Sequence, residues 1–233
     1  FKYPDSDDIT QEQLDNFKNY LNSFDASLAR GTYPLYIDVE SCARWLLAHQ
    51  LLGSKDGAGS NVFIYRDDNN SVFRMGTLWD FDSSFGIQGT FTPVMSMHYF
   101  KQMLQKSPCK LLAREMIRIW ESERSRIMTE ISDFLESIEG TEFALAIDNS
   151  IEANLKRWHG NTLDNMDTTI EKLRQWFSTR AEEIDSLLTT LTTEDGAIQW
   201  DNLPEGTFVL NGAERPQTGS TLSLTSSKLD LSQ

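Results

Sequence analysis

Apolar residues recur at helical spacing from the start of the chain. Behind Thr10-Gln11-Glu12-Gln13, which has the form of a capping box, Leu14, Phe17, Leu21, Phe24 and Leu28 follow in steps of three and four, which predicts a helix over about 10–29. Gly31 and Pro34 break it. Asp38 can then cap a second helix whose apolar stripe is Val39, Cys42, Ala43, Leu46, Leu47 and Leu51, with its end near Gly53. The segment 53–61 is too rich in Gly and Ser for helix or strand and reads as an exposed loop, a place where function often resides. Two β-rich runs follow, Val62-Phe63-Ile64-Tyr65 and the stretch from Val72 to Trp79, joined by the turn residues Asp67-Asp68-Asn69-Asn70. This pattern predicts a β-hairpin that delivers the chain to Asp80-Phe81-Asp82-Ser83-Ser84-Phe85-Gly86. Gly89, Thr90, Thr92 and Pro93 then predict an irregular crossing.

From about residue 97 the period is helical again. Ser107-Pro108 are expected to form the N-cap and first turn of a helix bearing Leu111, Leu112, Met116, Ile119, Trp120, Ile127, Ile131, Phe134 and Leu135. A shorter helix is predicted over about 142–158, and a third from near Leu163, carrying Met166, Ile170, Leu173, Trp176, Phe177, Ile184, Leu187 and Leu191. These stripes read as core. In the tail, the residues around Gly206-Thr207-Phe208-Val209-Leu210-Asn211-Gly212 can form one hairpin before a Ser/Thr/Leu-rich end. The predicted fold class is therefore mainly α with a central β-hairpin (α+β) and a small β appendage at the C-terminus. Its units are expected to be 1–192 and a tail, 193–233.

Composition narrows the choice of function. The 233 residues are 39% apolar and 24% charged, ordinary for a globular chain, and no apolar run is long enough for a membrane span. A net charge of −14 repels phosphate backbones, so nucleic acid is not an expected partner. The first residue is Phe1 and no basic-then-apolar leader follows it, so whatever preceded it is expected to have been removed. Cys42 and Cys109 fit neither a zinc site nor a disulfide-rich scaffold. They read as buried thiols, with one long-range disulfide as the alternative for an exported protein. The three histidines, His49, His98 and His159, stand alone and read as surface or capping groups, so zinc is not expected.

One order of residues does carry chemistry. A kinase-type phosphoryl-transfer site needs an aspartate near the acceptor hydroxyl and an asparagine five residues later on one metal. A second aspartate, beyond a short hairpin, serves the bridging metal. Asp56 and Asn61 have that spacing in the loop, the hairpin follows, and Asp80-Phe81-Asp82 comes next. The charge on a transferring phosphoryl group is neutralised by hard cations, which take carboxylate and amide oxygens. Magnesium or manganese therefore suits this donor set.

Tyr3-Pro4, the run Tyr36-Ile37-Asp38-Val39-Glu40-Ser41 and above all the stretch from Met75 through Trp79-Asp80-Phe81-Asp82 to Gly86 resemble the CotH kinase family of spore coat protein H-like atypical protein kinases. The resemblance runs from about residue 1 to 90 and more loosely to about 190. It implies a protein-kinase-like C-lobe in which Asp56 is the catalytic aspartate, Asn61 and Asp80 are metal ligands, and Asp82, in place of the usual glycine, assists with metal. It also implies Mg2+ or Mn2+ and ATP as cofactors, transfer of the γ-phosphoryl group to Ser/Thr hydroxyls of a protein substrate, and an exported bacterial location in the cell envelope or outside the cell. The chain departs from the family at Gly53-Ser54-Lys55-Asp56, where Gly-Asn-x-Asp is common, and at Thr77-Leu78, where Pro-Val is common. No glycine-rich phosphate cover and no strand lysine with a helix glutamate partner precede Asp56. The expectation is a C-lobe portion whose N-lobe belongs to the same polypeptide, with ATP bound only by the complete site and the fragment alone silent.

Three other readings compete. A haloacid-dehalogenase-like phosphatase would use Asp80 as nucleophile and Asp82 as acid/base, and a sugar-nucleotide transferase would use the same pair as a metal motif. Both need a doubly wound sheet, and residues 95–192 lack βαβ alternation. The third is a non-catalytic envelope or coat protein that keeps a kinase-like shape for binding.

Overall fold

The computed structural model describes residue 4, residues 6–54, 57, 61–86, 94–158 and 163–199, and the backbone of 207–210 and 213–216. Helix α1 (Gln11–Arg30) begins with the expected capping box: Thr10 Oγ1 accepts from Gln13 N at 3.2 Å, and Gln13 Oε1 accepts from Thr10 N at 2.9 Å. A short 3-10 turn, Tyr33–Leu35, leads to α2 (Val39–Leu52). Asp38 caps α2 by accepting from Ser41 N at 2.9 Å. Such a cap is worth about 1 kcal/mol.

Strands β1 (Ile64–Tyr65) and β2 (Arg74–Met75) pair antiparallel, Ile64 opposite Met75. The predicted runs were longer. The hairpin is short because its second arm is claimed by other partners: Phe73 N donates to Tyr36 O at 2.8 Å, Asp38 N donates to Phe73 O at 2.7 Å, and Met75 N donates to Ser41 Oγ at 3.2 Å. Phe73 is fully buried edge-on to Phe17, Tyr20 and Phe24 of α1. Arg66 packs its guanidinium 3.5 Å over the Tyr20 ring and donates to the turn carbonyls of Asn69 and Ser71. The hairpin is thus held by α1 on one side and by the start of α2 on the other.

Beyond a 3-10 turn, Val94–Ser96, the chain forms α3 (His98–Lys101), which runs into a π-turn, Gln102–Lys106. The long helices are α4 (Leu111–Ile138), α5 (Glu142–Trp158) and α6 (Met166–Thr189). Ser107-Pro108 do not start α4, contrary to expectation. Ser107 closes the π-turn by donating its N–H to Gln102 O, and its hydroxyl accepts from Cys109 N. The first amides of α4 are instead satisfied from a distance, Lys110 N by Asp195 Oδ1 at 2.7 Å and Leu112 N by the Tyr33 hydroxyl at 2.9 Å. Asp195 also accepts from Arg114, while Gly196 N donates to Pro108 O and Gln199 N to Arg30 O. Residues 193–199 therefore cross the start of α4 and the end of α1.

Helix α2 is the centre of the fold, packed against α4, α6 and β2. Its Cys42, Ala43, Trp45, Leu46 and Leu47 join Leu112, Met116, Phe177 and Ile184 in one apolar core. Asp185 of α6 accepts from Trp120 Nε1 and from Arg124 of α4. Helix α5 packs on α6 at the periphery and exposes Phe143 and Leu145. Strands β3 (Thr207–Leu210) and β4 (Ala213–Pro216) form the terminal antiparallel pair. Cys42 and Cys109 are both buried thiols outside any disulfide. Among the described residues no helix is long and apolar enough to cross a membrane, and the only sheets are these two antiparallel pairs, not a doubly wound parallel sheet. The molecule is mainly α with a central hairpin and a small terminal β pair, the predicted class.

The role of Asp195 is testable. Asp195→Ala removes a buried acceptor from both Lys110 N and Arg114 and should cost about 2 to 3 kcal/mol, read as a lower urea midpoint at unchanged slope. An unchanged midpoint would mean that α4 starts without help from 193–199.

Candidate functional site

Four carbonyls at the end of any α-helix lack an intrahelical donor. In α2 each has a donor from elsewhere. His49 O accepts from Gly53 N at 2.9 Å, Gln50 O from Arg180 Nε at 2.8 Å, Leu51 O from Trp176 Nε1 at 3.1 Å, and Leu52 O from Phe85 N at 3.1 Å. Arg180 is buried, also meets Glu183, and sets a positive charge at the negative end of the helix. The end of α2 is therefore tied to α6 through two side chains and to the turn after the hairpin through one backbone amide.

That arrangement joins the two segments that carry the predicted residues. Gly53 opens the loop in the left-handed region, at φ 62. Ser54, next along, is buried with its Oγ 3.4 Å from Ser83 Oγ. Asn61 is buried and stands three residues before β1, while Asp80 stands five residues after β2, so both leave the same open end of the hairpin. Gly76 N donates to Phe63 O at 2.8 Å and closes that end. Asp80 itself adopts φ 63, a region aspartate tolerates better than most residues, and it is exposed, as is Asp82. Between them Phe81 turns inward, its ring 4.9 Å from the His49 ring. Asp56 lies outside the described residues, as do Lys55 and 58–60.

Among the described residues no three His, Cys, Asp or Glu side chains gather into a metal cage. Magnesium does not need one, because it keeps several waters and takes one or two carboxylates together with phosphate oxygens. The carboxylates of Asp80 and Asp82 and the amide oxygen of Asn61 fit that demand.

Two features were not anticipated. An open pocket of about 640 Å³ is lined by Phe63, Tyr65, Met75, Gly76, Thr77 and Trp79, the last 57% exposed although it adjoins Asp80. The aromatic residues were visible in the sequence, but alternation alone assigned them to strand. His49, expected at the surface or as a cap, is only 2% exposed; its ring lies 3.8 Å from that of Trp45. A Cβ added to Gly57 would come within 2.8 Å of His49 Nδ1, so the ring abuts the backbone at Gly57. Among the described residues neither ring nitrogen has a hydrogen-bond partner, and burial pushes the imidazole pKa down to about 4. The signal available in the sequence was position: His49 falls one turn after Trp45 on the apolar face. His98 is exposed, 3.8 Å from Asp25, and His159 lies outside the described residues.

With the geometry in hand, comparison with known proteins adds one finding. A family model described as CotH kinase protein matches residues 1–184, which is most of the chain. Neither the curated proteins nor the solved structures contain a match.

The buried imidazole has a pH signature. Above about pH 6.5 His49 is neutral in folded and unfolded chains alike and costs nothing; below it, the unfolded chain takes up a proton that the folded chain refuses. Stability should fall as pH drops from 6.5 to about 4, where the loss is complete. His49→Phe removes this contribution, so the difference in unfolding free energy between variant and wild type should change across that window. A constant difference would show that the ring is not held neutral.

Proposed function

The chain belongs to the CotH kinase family, and from that premise we propose that it transfers the γ-phosphoryl group of ATP to hydroxyl groups of a protein substrate, with Asn61 and Asp80 holding a divalent cation. The observation that supports this reading is that Asn61 and Asp80 flank the same open end of the β1–β2 pair, with the adjoining segments tied by Leu52 O to Phe85 N and by Ser54 to Ser83. When bound, Mg2+ or Mn2+ supplies neutralisation of the charge on the phosphoryl oxygens.

The remaining work falls to the chain. Asp80 presents its carboxylate outward from a left-handed backbone, Asn61 contributes its amide oxygen, and Asp82 adds a second carboxylate from the next outward position of the turn. Asp56, five residues before Asn61, takes the proton of the acceptor hydroxyl as general base. The aromatic pocket next to Trp79 gives a nucleobase a flat apolar surface on which to stack. An acidic molecule of charge −14 attracts the cation and disfavours a bare triphosphate, which makes the metal complex the species it can accept.

Asp80→Asn is the cleanest test, since asparagine is the same size and tolerates the same backbone, so only the charge is lost. In the full-length protein the variant should melt at the wild-type temperature and lose most metal-dependent phosphoryl transfer, on the order of a hundredfold or more. Wild-type transfer by a folded variant would remove Asp80 from the site and sink the assignment.

A further inference from the structure

Trp176 sits on α6, more than a hundred residues from the loop and some ninety from the acidic turn, yet it touches both. A Cβ added to Gly53 would overlap its Cζ2 atom and lie 3.0 Å from Cη2; one added to Gly86 would lie 2.9 Å from Cζ3. The two corners of the indole that flank Cη2 thus rest against two backbones with no side chain between. Both glycines also have positive φ, 62 and 72, so each position excludes other residues by conformation as well as by space. The indole N–H donates to Leu51 O, which fixes the ring plane, and Phe85 packs edge-on against it at 6.4 Å.

Gly53 begins the loop that ends at Asn61, and Gly86 ends the turn that begins at Asp80. A rigid ring between them sets how far apart those segments can be. We propose that Trp176 is a positioning residue for the phosphoryl-transfer site: its indole acts as a spacer that holds the Asn61 loop and the Asp80 turn at the separation the metal–nucleotide complex requires. This rests on the functional reading above. The indole touches neither metal nor substrate, and its effect passes through the backbones of Gly53 and Gly86. Removing the ring leaves space that the loop and turn can close or splay into, and displacements near 1 Å can cost about a hundredfold in a site of this kind. Phenylalanine is shorter and lacks the N–H to Leu51 O, so it should restore the spacing in part.

The test compares Trp176→Ala, Trp176→Phe and Leu173→Ala in the full-length protein. Leu173 lies one turn earlier on α6 and is half-buried against the same core, so its truncation controls for a general loss of packing. Two quantities are read: hydrogen exchange at the Phe85 amide, whose acceptor is Leu52 O, and the affinity for Mn2+–ATP. Trp176→Ala should speed exchange at Phe85 and weaken Mn2+–ATP by about tenfold to a hundredfold, with Trp176→Phe between it and wild type and Leu173→Ala close to wild type in both. If Trp176→Ala does not fold, the Trp176→Phe and Leu173→Ala pair carries the same comparison. Wild-type affinity and wild-type Phe85 exchange in the Trp176 variants, or equal losses in Leu173→Ala, overturn the positioning role alone. A wild-type protein that takes up no Mn2+–ATP overturns the functional reading and this proposal with it.

Discussion

The C-terminal end of α2 is the constraint on which the rest of the site depends. A buried helix end cannot leave its carbonyls to water, and each unpaired one would cost about 1 to 3 kcal/mol. Here the four are satisfied by a glycine amide, an arginine, an indole and the amide of Phe85. Because those donors come from the loop, from α6 and from the turn after the hairpin, meeting the backbone's demand also brings these elements to one place. The meeting of loop, α6 and turn follows from the capping requirement.

Electrostatics act in the same direction. The negative end of the α2 dipole faces the acidic turn, which alone would repel Asp80 and Asp82; the buried guanidinium of Arg180 at Gln50 O offsets it locally. On the other side the neutral His49 ring, between Trp45 and Phe81, fills the space under the turn without adding charge. Phe81 and Phe85 turn inward while Asp80 and Asp82 stay exposed, so a single short segment is anchored by its aromatic residues and keeps its two aspartates at the surface.

Local signals were legible in the sequence where local physics decides. Thr10 and Asp38 are the caps their neighbours implied, Gly53 ends α2, and the Asp67-to-Asn70 turn joins two strands. The stripes on α4 and α6 pack into or against the core for most of their length, but Phe134, placed in the α4 stripe by its spacing, is 63% exposed. Contacts across long sequence separations were not legible. Ser107-Pro108 has the form of a helix start, but Asp195 and Tyr33 provide the caps of α4 three residues later. By its spacing Trp176 is one more core residue, because periodicity reports a face, not the two glycine backbones that the ring meets. His49 shows the same limit: its place one turn after Trp45 puts it on the apolar face of α2, but the second ring that encloses it, Phe81, lies thirty-two positions away.

The most direct test of the account is a paramagnetic map of the metal position. With 15N-labelled full-length protein, substoichiometric Mn2+–ATP should broaden first the side-chain amide of Asn61 and the backbone amides of Phe81 and Asp82, then those of Phe85 and Gly86. The amides of α5 should remain sharp. Broadening centred elsewhere, with Asn61 and the 80–86 turn unaffected, would contradict the claim that the end of α2 assembles a metal–nucleotide site.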